Sequence, residues 1–173
     1  MAFDSKLDRG AAYQFGSAAL ILSSAALLTA LGYQYIGGLE PCELCLTQRY
    51  AYYAAIPTLF AAIALVSAGK RGWAAALFSL VSLAFLANAG LGTYHAGAEW
   101  KFWPGPTTCT GEQALSTSAG SLLKDIEAVR VVRCDEASSR LLGLSFAGWN
   151  VIASLLLMAL TVRAALASSE NRS

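Results

Sequence analysis

Two cysteines at C-x-x-C spacing, Cys42 and Cys45, stand directly ahead of an apolar run in the stretch PCELCLTQR. Such a pair is more often redox-active than structural, because the geometry is tight and the partner thiol is always close. A disulfide between them closes a four-residue ring and stabilises a fold by only about 2 kcal/mol in chain-entropy terms. The spacing therefore favours thiol–disulfide chemistry, with Cys45 in the first turn of a helix whose dipole favours a thiolate.

Two further cysteines, Cys109 and Cys134, lie far downstream and make the total even, so two disulfides can form. A bond between them would stabilise the fold by about 3.5 kcal/mol, so a purely structural role for this pair is an alternative. Four thiolates could also hold zinc in a tetrahedral site. The cysteines offer one close pair and one widely separated pair, however, which is not the spacing of a zinc site, and we expect no metal.

Two polar residues could serve a reaction at the C-x-x-C pair. Arg49 follows Cys45 by four residues and so lies on the same helix face, where it could hold the carbonyl oxygens of a lipid-soluble electron acceptor. Its alternative role is to reach the lipid headgroups. His95, the single histidine, ends an apolar segment at the predicted depth of Cys45 and Arg49, and a solvated helix cap is its alternative role.

The composition is that of a membrane protein. Of 173 residues, 56% are hydrophobic and 13% charged, whereas soluble domains carry about 25% charge. The net charge of +1 gives no basic face for nucleic acid. The apolar segments predict membrane-spanning helices, since a bilayer requires roughly 20 apolar residues per helix. Four segments supply them. The first is too long for a signal peptide, so we predict that it is a retained span. The chain is therefore predicted to be an all-α, single-domain bundle of four transmembrane helices over residues 1–173. The predicted spans are 11–36, 46–68, 73–94 and 145–166.

The predicted orientation brings all four cysteines to one face of the membrane. The second and third spans are joined by the short turn GKRG, whose Lys70 and Arg71 predict a cytoplasmic position. Both termini are then cytoplasmic, and the loops 37–45 and 96–144 lie outside. If these loops face an oxidising compartment such as the bacterial periplasm, disulfides can persist there.

The second outer loop contains a helical pattern. Apolar residues at steps of three and four predict a short amphipathic helix on the membrane surface, or one packed over the ends of the spans. They are Leu115, Ala119, Leu122, Ile126 and Val129. Cys109 precedes this helix in a segment rich in Pro and Gly, which favours an exposed position. Two asparagines, Asn88 and Asn150, lie within predicted spans. Polar residues there are expected to join helices through hydrogen bonds.

The stretch PCELCLTQR resembles the PCxLCxxxR signature of the disulfide bond formation protein B (DsbB) family, and CDEASSRLLGLSFAGWN resembles the segment leading into its fourth span. The resemblance implies an inner-membrane enzyme that reoxidises a periplasmic DsbA-type thiol oxidase and passes two electrons to ubiquinone or menaquinone. It further implies that Cys42 and Cys45 are the quinone-proximal pair, that Cys109 and Cys134 face the partner, and that Arg49 and His95 are associated with the quinone.

Two alternatives remain. A membrane oxidoreductase of the vitamin K epoxide reductase kind also joins four helices, a C-x-x-C and a quinone, but there the motif lies later in the chain. A scaffold with structural disulfides would lose stability on reduction without any electron flow.

The predicted orientation can be tested by labelling. After mild reduction, a membrane-impermeant thiol reagent should label Cys109 and Cys134 from the periplasmic side, because both belong to an outer loop. Labelling found only in inverted vesicles would contradict the orientation and, with it, the proposed chemistry.

Overall fold

A computed structural model of the chain describes residues 2–105 and 140–169. Its four long helices are α1 (Ala2–Tyr35), α2 (Glu43–Ser67), α3 (Arg71–Glu99) and α4 (Phe146–Ser169). Each is long and apolar enough to cross a membrane, which confirms the predicted all-α membrane bundle. Cys109, Cys134 and the predicted amphipathic helix lie outside the described residues.

The third helix is longer than the predicted span. It continues beyond Tyr94 to Glu99, so His95 lies one turn inside the helix rather than at its end. The sequence HAGAE contains no proline and its glycine is tolerated, so nothing in the local sequence ends the helix at the predicted position.

The helices form a ring in chain order, in which α4 packs most extensively against α3 and also against α1, while α2 packs against α1 and α3. Small residues at the helix contacts allow this close packing. A Cβ added at Gly92 on α3, for example, would lie 2.9 Å from Cγ2 of Val151 on α4. Because α2 and α4 are not neighbours in this ring, they lie diagonally opposite each other.

The two ends of the bundle differ in character. At one end the Arg71 guanidinium donates to the carbonyl oxygen of Ala167, at 2.5 Å, and so satisfies a free carbonyl near the end of α4. The other end carries the start of α2, the end of α3 and the start of α4.

A two-residue hairpin precedes α4. Strands β1 (Arg140–Leu141) and β2 (Leu144–Ser145) pair antiparallel around Leu142 and Gly143, whose φ angles of 55° and 84° are those of a tight hairpin turn. The Ser145 hydroxyl then accepts a hydrogen bond from the Gly148 N–H at 3.2 Å, which caps α4.

Candidate active site

The sulfur of Cys42 caps the N-terminus of α2. Cys42 has extended backbone angles and accepts a hydrogen bond from the Cys45 backbone N–H at 3.2 Å. A serine, threonine or aspartate oxygen usually fills this role, and a thiolate fills it as an anion that the helix dipole favours. The C-x-x-C spacing is thus also the spacing from an N-cap to the third helical residue.

The structure differs from the expectation that the helix would favour a thiolate at Cys45. A hydrogen bond from the Cys45 thiol lowers the pKa of Cys42 from 9.0 to about 5, helped by a hydrogen bond from His95, although burial of the sulfur opposes the shift. The N-cap side chain, and not one in the first turn, faces the free N–H groups of the helix. With both cysteines reduced, Cys42 is therefore the thiolate and Cys45 the donor.

His95 lies against the Cys42 sulfur. Its Nε2 atom is 3.7 Å from Cys42 Sγ and 3.7 Å from Glu99 Oε1, one turn further along α3. Its Nδ1 atom is 3.0 Å from Nε2 of Gln48 on α2. The ring is 2% exposed, so these contacts define its environment.

Behind His95, amide side chains connect α2, α3 and α4. The Asn150 amide nitrogen donates to Gln48 Oε1 at 2.7 Å, and the Tyr52 hydroxyl donates to Asn150 Oδ1, also at 2.7 Å. Asn88 donates to Ser154 Oγ at 3.0 Å and to Asn150 Oδ1 at 3.4 Å. Asn88 and Asn150 thus join helices, as expected from their positions inside spans.

A cavity of about 330 Å³ opens beside the cysteine pair, between α1, α2, α4 and the loop ahead of α2. Its lining is mainly apolar and includes Cys42, Cys45, Gln48 and Arg49. The Arg49 guanidinium donates to the Gln34 side chain and, at 3.4 Å, to the Ala30 carbonyl oxygen on α1. A planar fork of donors therefore lies on the same cavity as both sulfurs.

Four of the six candidate residues come together at this end of the bundle. Cys42, Cys45 and Arg49 line the cavity, whereas His95 lies behind Cys42 and is absent from the lining formed by residues 2–105 and 140–169. The two sulfurs and a His95 ring nitrogen are within 4.8 Å of one another, a spacing that could hold a thiophilic metal ion when both cysteines are reduced.

Two residues of the site were not identified from the sequence. They are Gln48 on α2 and Glu99 on α3, and both contact His95. The signal was available for Gln48, because a buried amide inside a span needs a partner from another helix, the argument applied to the asparagines. Glu99 carried a weaker signal, its spacing of four residues from His95.

Comparison with known proteins identifies related chains. The family model described as Disulfide bond formation protein DsbB matches residues 14–164. A relative named Disulfide bond formation protein B from Acidovorax sp. (strain JS42) is 34% identical over 96 residues, which cover 53% of this chain. The chain spans about half the length of that relative, 51%. No solved structure gives a significant match.

The low pKa of Cys42 predicts an unusual pH profile for the reduced protein. Alkylation of Cys42 should stay near its maximal rate above about pH 6 and fall to half of it at about pH 5, because the thiolate is the reactive form. An ordinary thiol would already slow below about pH 8.5. Mass spectrometry of samples quenched at each pH would locate the label, and a midpoint above pH 8 would contradict the assignment.

Proposed function

Since the chain belongs to the DsbB family, we propose that it is a thiol:quinone oxidoreductase of the bacterial inner membrane, with both termini cytoplasmic, that sustains periplasmic disulfide formation. It reoxidises a periplasmic DsbA-type dithiol oxidase and passes two electrons through two cysteine pairs to ubiquinone or menaquinone. One observation carries the proposal: a C-x-x-C pair with a stabilised thiolate lines an apolar cavity at one end of a membrane bundle.

The cavity has the properties required of a quinone headgroup site. Its volume of about 330 Å³ lies within the usual range for small-molecule sites, and an apolar lining with a few polar groups suits a ring that bears two carbonyls. Arg49 would donate to a carbonyl oxygen, and the amide groups of Gln34 and Gln48 are further possible partners. When bound, the quinone supplies a two-electron acceptor that also takes up two protons.

Electrons reach the C-x-x-C pair by disulfide exchange. A thiolate of the partner attacks Cys109 of a Cys109–Cys134 disulfide, and the partner's second thiol then resolves the mixed disulfide. The released Cys134 attacks Cys42, which breaks the Cys42–Cys45 bond and releases Cys45 as a thiolate towards the cavity. When Cys109 displaces Cys42, the Cys109–Cys134 disulfide is restored and the electron pair remains on Cys42 and Cys45.

The environment of Cys42 favours this direction of electron flow. A hydrogen bond from the helix N-terminus and the nearby His95 both stabilise the reduced pair by stabilising its thiolate. A disulfide whose reduced form is stabilised in this way is a stronger oxidant. The Cys42–Cys45 disulfide is thereby suited to draw electrons from the other pair.

The direct test is quinone reduction, followed spectroscopically, with a reduced DsbA-type protein as the electron donor. A membrane scaffold with structural disulfides would show no reduction, and that result would reject the proposed activity. Within this quinone-reduction assay, Arg49→Lys and Arg49→Gln should raise the KM for quinone by about tenfold, as expected for the loss of one charge-assisted hydrogen bond. An unchanged KM would indicate that Arg49 does not bind quinone and serves only its contacts with α1.

The relay order has its own test. Cys134→Ser should accumulate a mixed disulfide between Cys109 and an oxidised partner. The free Cys109 thiolate attacks the partner's disulfide, releases the partner's second cysteine as a thiol, and has no Cys134 thiolate beside it to displace the partner. Non-reducing electrophoresis followed by peptide mapping identifies the linkage, and Cys109→Ser is the matched control that should form no such species. If turnover continues in Cys134→Ser, or if the partner is trapped on Cys42, electrons enter directly at the C-x-x-C pair.

A further inference from the structure

We propose that Gln48 and Asn150 are positioning residues, which hold His95 in the tautomer whose Nε2–H points at the Cys42 sulfur. Their importance for turnover rests on the proposed function, whereas the tautomer itself is a property of the bundle. The proposal is carried by a continuous series of hydrogen bonds that runs from the centre of the bundle to Cys42.

At the Cys42 end of the series, the proton position on His95 is dictated by what faces the ring. The Nε2 atom has the Cys42 sulfur and a Glu99 carboxylate oxygen as neighbours, each at 3.7 Å. A thiolate and a carboxylate only accept hydrogen bonds. A lone pair on Nε2 would therefore face two acceptors, whereas an N–H serves both.

With the proton on Nε2, every other hydrogen bond of the series pairs a donor with an acceptor. With its proton on Nε2, the neutral ring has a lone pair on Nδ1, which accepts from the Gln48 amide nitrogen at 3.0 Å. The Gln48 oxygen is then free to accept from Asn150 at 2.7 Å, and the Asn150 oxygen accepts from the Tyr52 hydroxyl at 2.7 Å. Every donor in the series points towards Cys42.

Burial makes this arrangement difficult to reverse. Gln48, Tyr52 and His95 are each 5% exposed or less, and a polar group inside the bilayer has no water to replace a lost partner. Turning the Gln48 amide alone would set its oxygen against the Nδ1 lone pair and its nitrogen against the Asn150 nitrogen. Reversal thus requires Gln48 and Asn150 to turn together, which makes the tautomer a property of the whole series.

Several charged or titratable groups surround Cys42, and any test has to account for them. Cys45 lies on α2, His95 and Glu99 lie on α3, and Glu40 and Arg49 line the same cavity. The α4 helix contributes Asn150 but no ionisable side chain to that lining. Of these groups, His95 is the one whose hydrogen bond to Cys42 depends on Gln48.

The single histidine permits a direct test. The full chain, reduced and without a polyhistidine tag, is labelled with ¹⁵N in the imidazole ring, and its ¹⁵N chemical shifts are recorded at a pH where the ring is neutral. We expect the Nε2–H tautomer in the wild type and a mixture in Gln48→Met, which keeps the side-chain length but removes the amide. Gln34→Met removes the other glutamine of the cavity and should leave the tautomer unchanged.

Asn150→Asp tests whether Asn150, which contacts Gln48, controls the His95 tautomer through the Gln48 amide. The aspartate offers only acceptors to Gln48, so the Gln48 amide should turn its nitrogen towards Asp and its oxygen towards His95. The ring must then donate from Nδ1, and the tautomer should invert. A wild-type spectrum with the proton on Nδ1 would overturn the proposal, as would an Asn150→Asp spectrum that keeps it on Nε2.

A second measurement links the tautomer to the sulfur. In full-length protein carrying Cys109→Ser and Cys134→Ser, Gln48→Met should slow alkylation of Cys42 at pH 6 by about two- to tenfold, because the loss of a hydrogen bond to the thiolate raises the pKa of Cys42 from about 5 to about 6 or 7 and lowers the thiolate fraction. An unchanged rate would overturn the link to Cys42. Neither measurement uses quinone or a partner, so failure of the proposed activity would leave both results standing. Should Gln48→Met fail to assemble, the wild-type and Asn150→Asp spectra decide the question.

Discussion

The architecture of the site depends on one constraint: a polar group inside a lipid bilayer has to find its hydrogen-bond partner within the protein. The α2 and α4 helices lie diagonally opposite each other in the ring, yet Asn150 on α4 bonds to both Gln48 and Tyr52 on α2 across the centre of the bundle. Asn88 joins the same group from α3. These polar side chains therefore hold α2, α3 and α4 in one register at the end that carries the cysteines.

The C-x-x-C spacing satisfies two requirements with one geometry. In a helix cap, the side chain of the N-cap residue accepts from the backbone N–H three residues later. Cys42 and Cys45 have this relationship, and the same spacing keeps two sulfurs close enough to form a disulfide. The cap that starts α2 is thus also the device that stabilises the thiolate, so the structural and chemical roles of the motif are inseparable.

Cys42 divides the site into two sides. The cavity side, with Cys45 and Arg49, is mainly apolar and suits a lipid-soluble molecule. The opposite side, with His95 and Glu99, consists of buried polar groups. Arg49 and His95, which the family resemblance associates with the same ligand, therefore lie on different sides of the cysteine pair: Arg49 lines the cavity, and His95 contacts Cys42 from α3. Electron transfer and control of the thiolate can thereby be served by different residues.

The sequence by itself determined the four spans, the C-x-x-C pair at the start of the second, and Arg49 on the face of Cys45, because apolar length and helical periodicity are local properties. It placed His95 at the correct end of the bundle and predicted a third span over residues 73–94, whereas α3 continues to Glu99 because no proline or other local signal ends the helix there. Only the tertiary structure decided that Cys42 is the thiolate and that Gln48 contacts His95. The first depends on which cysteine of the motif caps α2, and the second on which side chains of α2 and α3 meet. The periodicity of one helix carries no information about the rotation of its neighbours.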